Sequence, residues 1–391
     1  MPDGWPRSLG PSVTSLRVAA ATIRRRRLAA AAGCGLAAAA FAFGAALGDG
    51  PGAAPSAVSR LPLDRLAGQR VVIGFDGPEA PTAVRRMVRE GRVAGVILFA
   101  DNFPSRAAGR RLIADLQSLR RPAGLRDPLL VMADQEGGLV KRVDGPPAAS
   151  AREMGAAGAA FSREQGRLTA ANLRDVGVSV DLAPVLDVAR PGGTIAATGR
   201  GFGATAARVA ATAVPFAAAL RRGGVAATAK HFPGLGAAHL NTDFAVQRIG
   251  LTKQRLRAVD EAPYRAFIEG GGDVVMLSTA IYPAFSPKPA AFARPIASGE
   301  LRSRLGFEGV SITDALGAAA VRAFGGPVRA GLAAVRAGAD LLLFADYREA
   351  VPVHLRLVDR LRAGALPRAA FETSVGRVLR LRHRLAGDTG S

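Results

Sequence analysis

Ala226-Ala227-Thr228-Ala229-Lys230-His231-Phe232-Pro233-Gly234 is the stretch that decides how the rest of the chain is read. Its opening residues are small, apolar or β-branched, as in a strand buried on both faces. It ends in a lysine and a histidine, which are costly to bury without polar partners. Pro233 and Gly234 then stop the strand and open a Gly-rich loop. A buried strand that closes on ionisable groups describes a site built at its C-terminal end.

Working outward, short apolar runs recur at Val71–Phe75, Gly95–Phe99, Leu129–Asp134, Ser179–Pro184, Ala226–Phe232, Val274–Thr279, Gly309–Asp314 and Leu341–Ala345. Helical patterns lie between them, at Ala83–Glu90, Arg106–Arg120, Arg163–Val176, Ala206–Arg222, Lys253–Glu269 and Gly326–Ala337. Strands alternating with helices specify a parallel sheet with right-handed crossovers. Eight such units in about 330 residues suit an α/β fold of the (β/α)8 TIM-barrel type, with a few long loops. An open doubly wound sheet is the competing arrangement, since periodicity does not prove closure. The polar punctuation favours the barrel. Asp134, Lys230-His231 and Asp314 all fall at C-terminal strand ends, and in a barrel those ends converge on one rim.

Asp134 belongs to Ala133-Asp134-Gln135-Glu136-Gly137-Gly138, where two carboxylates precede a glycine pair that lets the backbone turn close to a ligand. Arg142 follows, able to neutralise Asp134 or bind a sugar hydroxyl. Gly199-Arg200-Gly201-Phe202-Gly203 is a further Gly-rich turn, without the spacing or the strand–helix context of a dinucleotide site. Asp181 and Asp187 read as structural, tying the fourth strand to its neighbours. His354 and His383 read as packing or surface residues of a C-terminal helical region. The Pro-rich segment Ile281–Pro295 reads as a loop over the site mouth.

The order DQEGG-x-V-x-R (134–142), GRGFG (199–203), KHFPG (230–234) and ITDA (312–315) resembles glycoside hydrolase family 3. It is similar to the single-domain β-N-acetylhexosaminidases that release N-acetylglucosamine from peptidoglycan fragments. The similarity runs from about Leu61 to Leu385, with support from Val180–Asp187 and Leu305–Gly309. The resemblance implies Asp314 as the catalytic nucleophile, and Asp134, Arg142, Arg200, Lys230 and His231 as residues holding the sugar. It implies retaining hydrolysis through a glycosyl-enzyme. No metal or organic cofactor is implied; the partner is a carbohydrate.

One part of the family pattern is missing. These enzymes usually read KHFPGHG followed by Asp-Ser-His, whose histidine is the acid/base and whose aspartate orients it. Here Leu235 replaces the histidine of the GHG turn, and Asn241-Thr242-Asp243 stand in the later triplet. Proton transfer to a leaving oxygen contributes roughly a hundred- to ten-thousandfold. Three outcomes follow: Asp243 serves as the acid, with its proton held by burial or by a nearby carboxylate such as Asp314; His239 of the same loop swings in; or the barrel binds a glycan without cleaving it.

Ahead of the barrel, Arg24–Arg27 precede an uncharged apolar run from Leu28 to Leu47, about long enough to cross a bilayer as a helix. The arginines would keep that end cytoplasmic. The expected organisation is a basic region at 1–27, a signal anchor or signal peptide at 28–48, a Gly/Pro/Ala/Ser linker at 49–60, and the barrel domain at 61–391. The protein is then exported, either anchored in the membrane facing outward or secreted. The single cysteine, Cys34, precludes an intrachain disulfide. The formal net charge of +21 comes mostly from arginines scattered singly along the chain. A solvated basic surface is the plainer reading of it, and attraction to an anionic surface the functional one. Nucleic-acid binding is disfavoured, because aromatics are sparse and no nucleic-acid module is present.

Overall fold

The computed structural model describes residues 58–387. The run Leu28–Leu47, its basic flank and most of the linker lie outside the described residues. Eight parallel strands follow one another around a sheet: β1 (Val71–Ile73), β2 (Gly95–Ile97), β3 (Leu130–Ala133), β4 (Val180–Asp181), β5 (Ala226–Phe232), β6 (Val274–Leu277), β7 (Val310–Thr313) and β8 (Leu342–Phe344). Each strand from β1 to β6 pairs with the next in sequence, and β1 pairs with β8. The remaining seam, between β7 and β8, is held by the Ile312–Leu341 bridge and by the Thr313 N–H, which donates to the Leu341 carbonyl. The sheet is therefore wrapped on itself as a (β/α)8 barrel, not laid open.

Strand alternation sets what faces the barrel axis. Leu130 and Met132 on β3, Ala226 on β5, and Val310 and Ile312 on β7 belong to the apolar cluster that fills the barrel. Two residues beyond Met132 and Ile312, and four beyond Ala226, the same parity turns Asp134, Asp314 and Lys230 inward, immediately above that packed interior. The intervening residues, such as Val131 and Ala227, pack outward in the core beneath the helices.

Departures from the expected elements have local causes. The β4 ladder is shorter than Ser179–Pro184 because Pro184 has no N–H to pair. Contact with β5 continues beyond it: the Thr228 and Lys230 N–H groups donate to the Ala183 and Pro184 carbonyls at 2.8 and 3.2 Å, and the Leu186 N–H donates to the Lys230 carbonyl at 2.7 Å. The expected helix Lys253–Glu269 is broken into Lys253–Arg255, a wider turn Leu256–Asp260, and Ala262–Glu269, where Pro263 sits in the first turn. The segment Ile281–Pro295 is not a loop over the mouth. Tyr282 is buried and its hydroxyl donates to the Gly234 carbonyl at 3.0 Å. Ala290 and Ala291 N–H groups donate back to Ala280 and Ser278. Its apolar residues draw the segment onto the barrel wall, and none of it lines the site cavity.

The opposite end of the barrel is closed by the helix Arg368–Gly387. Val378, Leu381 and Leu385 join the barrel-filling cluster from below. Arg382 is only 1% exposed. Its guanidinium donates to the carbonyls of Pro128 at 3.0 Å and Leu125 at 3.1 Å, and also to Asp127 and the Gln69 side chain. Arg377 pairs with Asp340 at 2.7 Å and Arg384 with Asp273 at 2.6 Å. His354 is buried with Nε2 at 2.8 Å from the Asp64 carbonyl, and His383 is exposed beside Asp127. Among the described residues, no helix is long and apolar enough to cross a membrane.

Candidate active site

At the C-terminal rim lies a cavity of about 330 Å³, at the small end of ligand pockets, which run roughly 300–1,000 Å³. Ile97, Leu182, Met276 and Leu343 give it an apolar floor continuous with the barrel interior. Its walls are ionisable. Lys230 Nζ donates to Asp134 at 2.6 Å and lies 2.7 Å from Glu136. Arg200 grips Glu136 through two parallel bonds of 2.7 Å. Arg142 stands 4.0 Å from Asp134. Burial alone would lower the Lys230 ammonium, but Asp134 and Glu136 raise it above its ordinary value.

Glu136 is the residue that sequence reasoning left out, although the second carboxylate of DQEGG was in plain view. Burial would raise its carboxyl, but Lys230 and Arg200 overcome that and hold it at about 2. Its charge is therefore a structural necessity. Glu136→Gln is expected to destabilise the fold by about 3–5 kcal/mol, the cost of breaking a buried pair while its cations remain. Urea denaturation would measure this. The pH dependence has a definite sign: the folded value lies below the ordinary 4.5, so the stabilisation is complete above that pH and is lost as pH falls toward about 2. The variant should lack that part of the acid sensitivity.

Gln135 folds the same loop. Its side-chain carbonyl accepts from Arg142 and Val143 N–H, and its amide donates to the Val143 and Pro146 carbonyls. This brings Arg142 back to the cavity. Gly137 (φ 90°) makes the turn possible, since a Cβ there would meet the Ala149 carbonyl oxygen at 2.2 Å. Asp181 and Asp187 do tie β4 to its neighbours. Asp181 accepts from Gln135 N–H at 3.0 Å, and burial holds its carboxyl well above the usual range. Asp187 accepts from the His231 and Leu235 N–H groups and sits 2.8 Å from His231 Nδ1. That contact holds the imidazole, which lines the cavity.

Asp314 follows the last residue of β7 and is half-buried. Burial raises its carboxyl above the ordinary value, with His231 opposing and Asp243 adding to the rise. The Ala315 N–H, 2.8 Å from Oδ1, and Lys230 pull it back down. The nearby cation favours ionisation, as expected from the sequence, yet desolvation outweighs it.

Asp243 reaches the cavity from the loop after β5 but is exposed, so the burial expected to favour its acid form is absent and only the neighbouring Asp314 remains for that part. Asn241 clasps it twice: its amide donates to Asp243 Oδ2 at 2.9 Å, and its side-chain carbonyl accepts the Asp243 N–H at 3.0 Å. The loop is fastened to the chain beyond Asp314, where the Ala319 and Ala320 N–H groups donate to the Asp243 and Thr242 carbonyls. His239 is exposed, with Nδ1 at 3.1 Å from the Gly192 carbonyl, and does not line the cavity. Thus Asp134, Arg142, Arg200, Lys230, His231, Asp243 and Asp314 share one cavity, and His239 stands apart. Among the described residues, no group of three or more His, Cys, Asp or Glu is placed to hold a metal ion. An apolar floor with hydrogen-bonding walls suits a sugar ring, whose C–H face and hydroxyl edge differ in the same way. Two carboxylates at its rim can divide nucleophilic attack and proton transfer.

The sequence profile of the Glycosyl hydrolase family 3 N terminal domain matches residues 63–381. A secreted glycosyl hydrolase of Arthroderma benhamiae is 37% identical over 345 residues, which are 85% of this chain and 96% of that protein. A beta-hexosaminidase of Alkalilimnicola ehrlichii is 34% identical, over 73% of this chain and 83% of its own length. Among solved structures, a glycoside hydrolase family 3 beta-N-acetylglucosaminidase from Paenibacillus sp. superimposes with a TM-score of 0.80 at 34% identity. That match covers 85% of this chain and 64% of the Paenibacillus chain, so the present chain spans somewhat under two thirds of that protein.

Proposed function

The chain belongs to glycoside hydrolase family 3, and on that premise we propose an exported β-N-acetylhexosaminidase that releases a terminal β-linked N-acetylglucosamine. Asp314 is the nucleophile and Asp243 the acid/base. The Asp314 carboxylate attacks the anomeric carbon while the glycosidic oxygen leaves with a proton from Asp243. Water, deprotonated by Asp243, then cleaves the glycosyl–Asp314 ester and frees the sugar. Each step inverts the anomeric centre, so the product keeps the β configuration. Asp134, Arg142, Arg200, Lys230 and His231 hold the sugar's hydroxyl edge. Asn241 fills the orienting position that an aspartate fills in relatives, and aims a carboxylate in place of an imidazole.

The observation that carries this reading is the pairing of Asp243 with Asp314 across one cavity whose other wall is the lysine–carboxylate–arginine network. Export rests on Arg24–Arg27 followed by the apolar run Leu28–Leu47, and on the secreted relative. In this reading the apolar run either stays in the membrane or is removed, and the substrate is a wall-derived or related glycan. The lost loop histidine favours one other reading, glycan binding without cleavage.

Turnover of an aryl β-N-acetylglucosaminide, followed by proton NMR of the sugar released, tests both. The β anomer is expected first. An α anomer appearing first would overturn the two-step mechanism. Measurable sugar affinity with no turnover of any aryl glycoside would leave the silent binder.

A further inference from the structure

The arginines that stand singly along the sequence are gathered in space by the alternation of helix and strand. At the end of the barrel where the strands begin, a cavity of about 480 Å³ is lined by Arg174, Arg221, Arg222 and Arg384, and by no carboxylate. An adjoining cavity of about 380 Å³ shares Arg221 and Arg384 and adds Arg377 and Arg380, four arginines against the two carboxylates of Asp273 and the exposed Glu308. The acids at hand are largely spent: Asp273 faces Arg384 at 2.6 Å and Arg221 at 3.5 Å, and Asp340 faces Arg377 at 2.7 Å and Arg302 at 2.5 Å. Among the described residues, no carboxylate lies within 4.0 Å of the exposed Arg174, Arg222 or Arg380. Gly271 (φ +77°) leaves room for this crowding, because a Cβ there would fall 2.3 Å from Arg221 Nη1. Cationic side chains lining shared openings in excess over carboxylates raise the local positive potential, which a multivalent anion would neutralise.

We propose that this end of the barrel is a docking face for the phosphate groups of an anionic phospholipid surface. The arginines span two adjoining openings and continue through Arg302 and Arg336 around a third, an arrangement that fits a field of many phosphates better than one small anion. The described chain also begins on this side. The Ser59 carbonyl accepts from Arg368, at the start of the helix that closes this end, at 2.7 Å. Residues 48–57, which join Val58 to the apolar run Leu28–Leu47, can reach no more than about 35 Å. This second argument rests on the reading of that run as a membrane segment. Docked in this way, the protein holds its catalytic mouth on the side away from the lipid.

The full chain, and the full chain carrying Arg222→Glu and Arg380→Glu, would be mixed with vesicles of phosphatidylcholine alone or with one third phosphatidylglycerol. Amide exchange at Arg221–Gly224 reads the face, and flotation on the phosphatidylcholine vesicles reads the apolar run. The expected result is slowed exchange on the anionic vesicles only. It should vanish at high salt and be weaker by at least about tenfold in the double variant, while turnover of a soluble aryl glycoside stays unchanged. Equal exchange on both vesicles, or protection that survives the double substitution, would overturn the docking face. So would protection by inorganic polyphosphate without protection by the anionic vesicles. Protection on anionic vesicles without flotation on the neutral ones supports the face and removes only the anchor.

Discussion

Asp314→Ala is expected to lower kcat/KM on an aryl β-N-acetylglucosaminide by on the order of ten-thousandfold or more, because no second carboxylate can take over the attack. Asp134 and Glu136 are bound to Lys230 and Arg200, and Asp243 stands on the leaving-group side in the proposed mechanism. The loss should be chemical, not structural: the residue is half-buried at the cavity rim, and its removal leaves the barrel-filling cluster intact. Azide supplies the independent check. Occupying the space vacated by the carboxylate, it should restore turnover and yield a glycosyl azide of α configuration, since a single displacement inverts the centre. A variant that keeps its rate within about tenfold of the parent would remove Asp314 from the nucleophile's role.

Asp243→Ala should show the uneven losses of a missing proton donor. With a poor leaving group such as another sugar, kcat/KM should fall by roughly a hundred- to ten-thousandfold. With a dinitrophenolate, which departs without a proton, the first step should be nearly untouched, and the glycosyl-enzyme should accumulate as a burst because no base activates water. His239→Ala is the control, since that imidazole lies against Gly192 outside the cavity, and its rate profile should match the parent. A uniform loss across all leaving groups would instead mark Asp243 as a binding residue.

What the sequence made legible followed strand ends. Asp134, Lys230 and Asp314 could be placed on one rim because each stands at the C-terminal end of a short apolar run, and closure of the sheet turned those ends into a shared cavity. Glu136 escaped because two carboxylates side by side carry no mark of which one is locked between cations. The lock is Arg200, 64 residues further on. The sequence marks the loss of the usual dyad at Asn241-Thr242-Asp243 but carries no sign of the two hydrogen bonds that join Asn241 to Asp243. Ile281–Pro295 was misread because proline content signals irregular backbone, not its location, and here the apolar residues of the irregular chain, Tyr282 and Ala290–Ala293 among them, are buried away from the cavity. The Arg368–Gly387 helix gave no clean amphipathic pattern, since Arg382 sits among the apolar positions and finds its partners in carbonyls that no local pattern announces.

That helix has a consequence for the order of events during synthesis. The carbonyl of Pro128 that receives Arg382 lies 254 residues earlier in the chain, so the lower end of the barrel stays open until residue 382 has been made. Contacts of such sequence separation form late and slowly. A chain closed by so distant a contact spends longer with that end of its barrel open, and stays pliable for as long as it does.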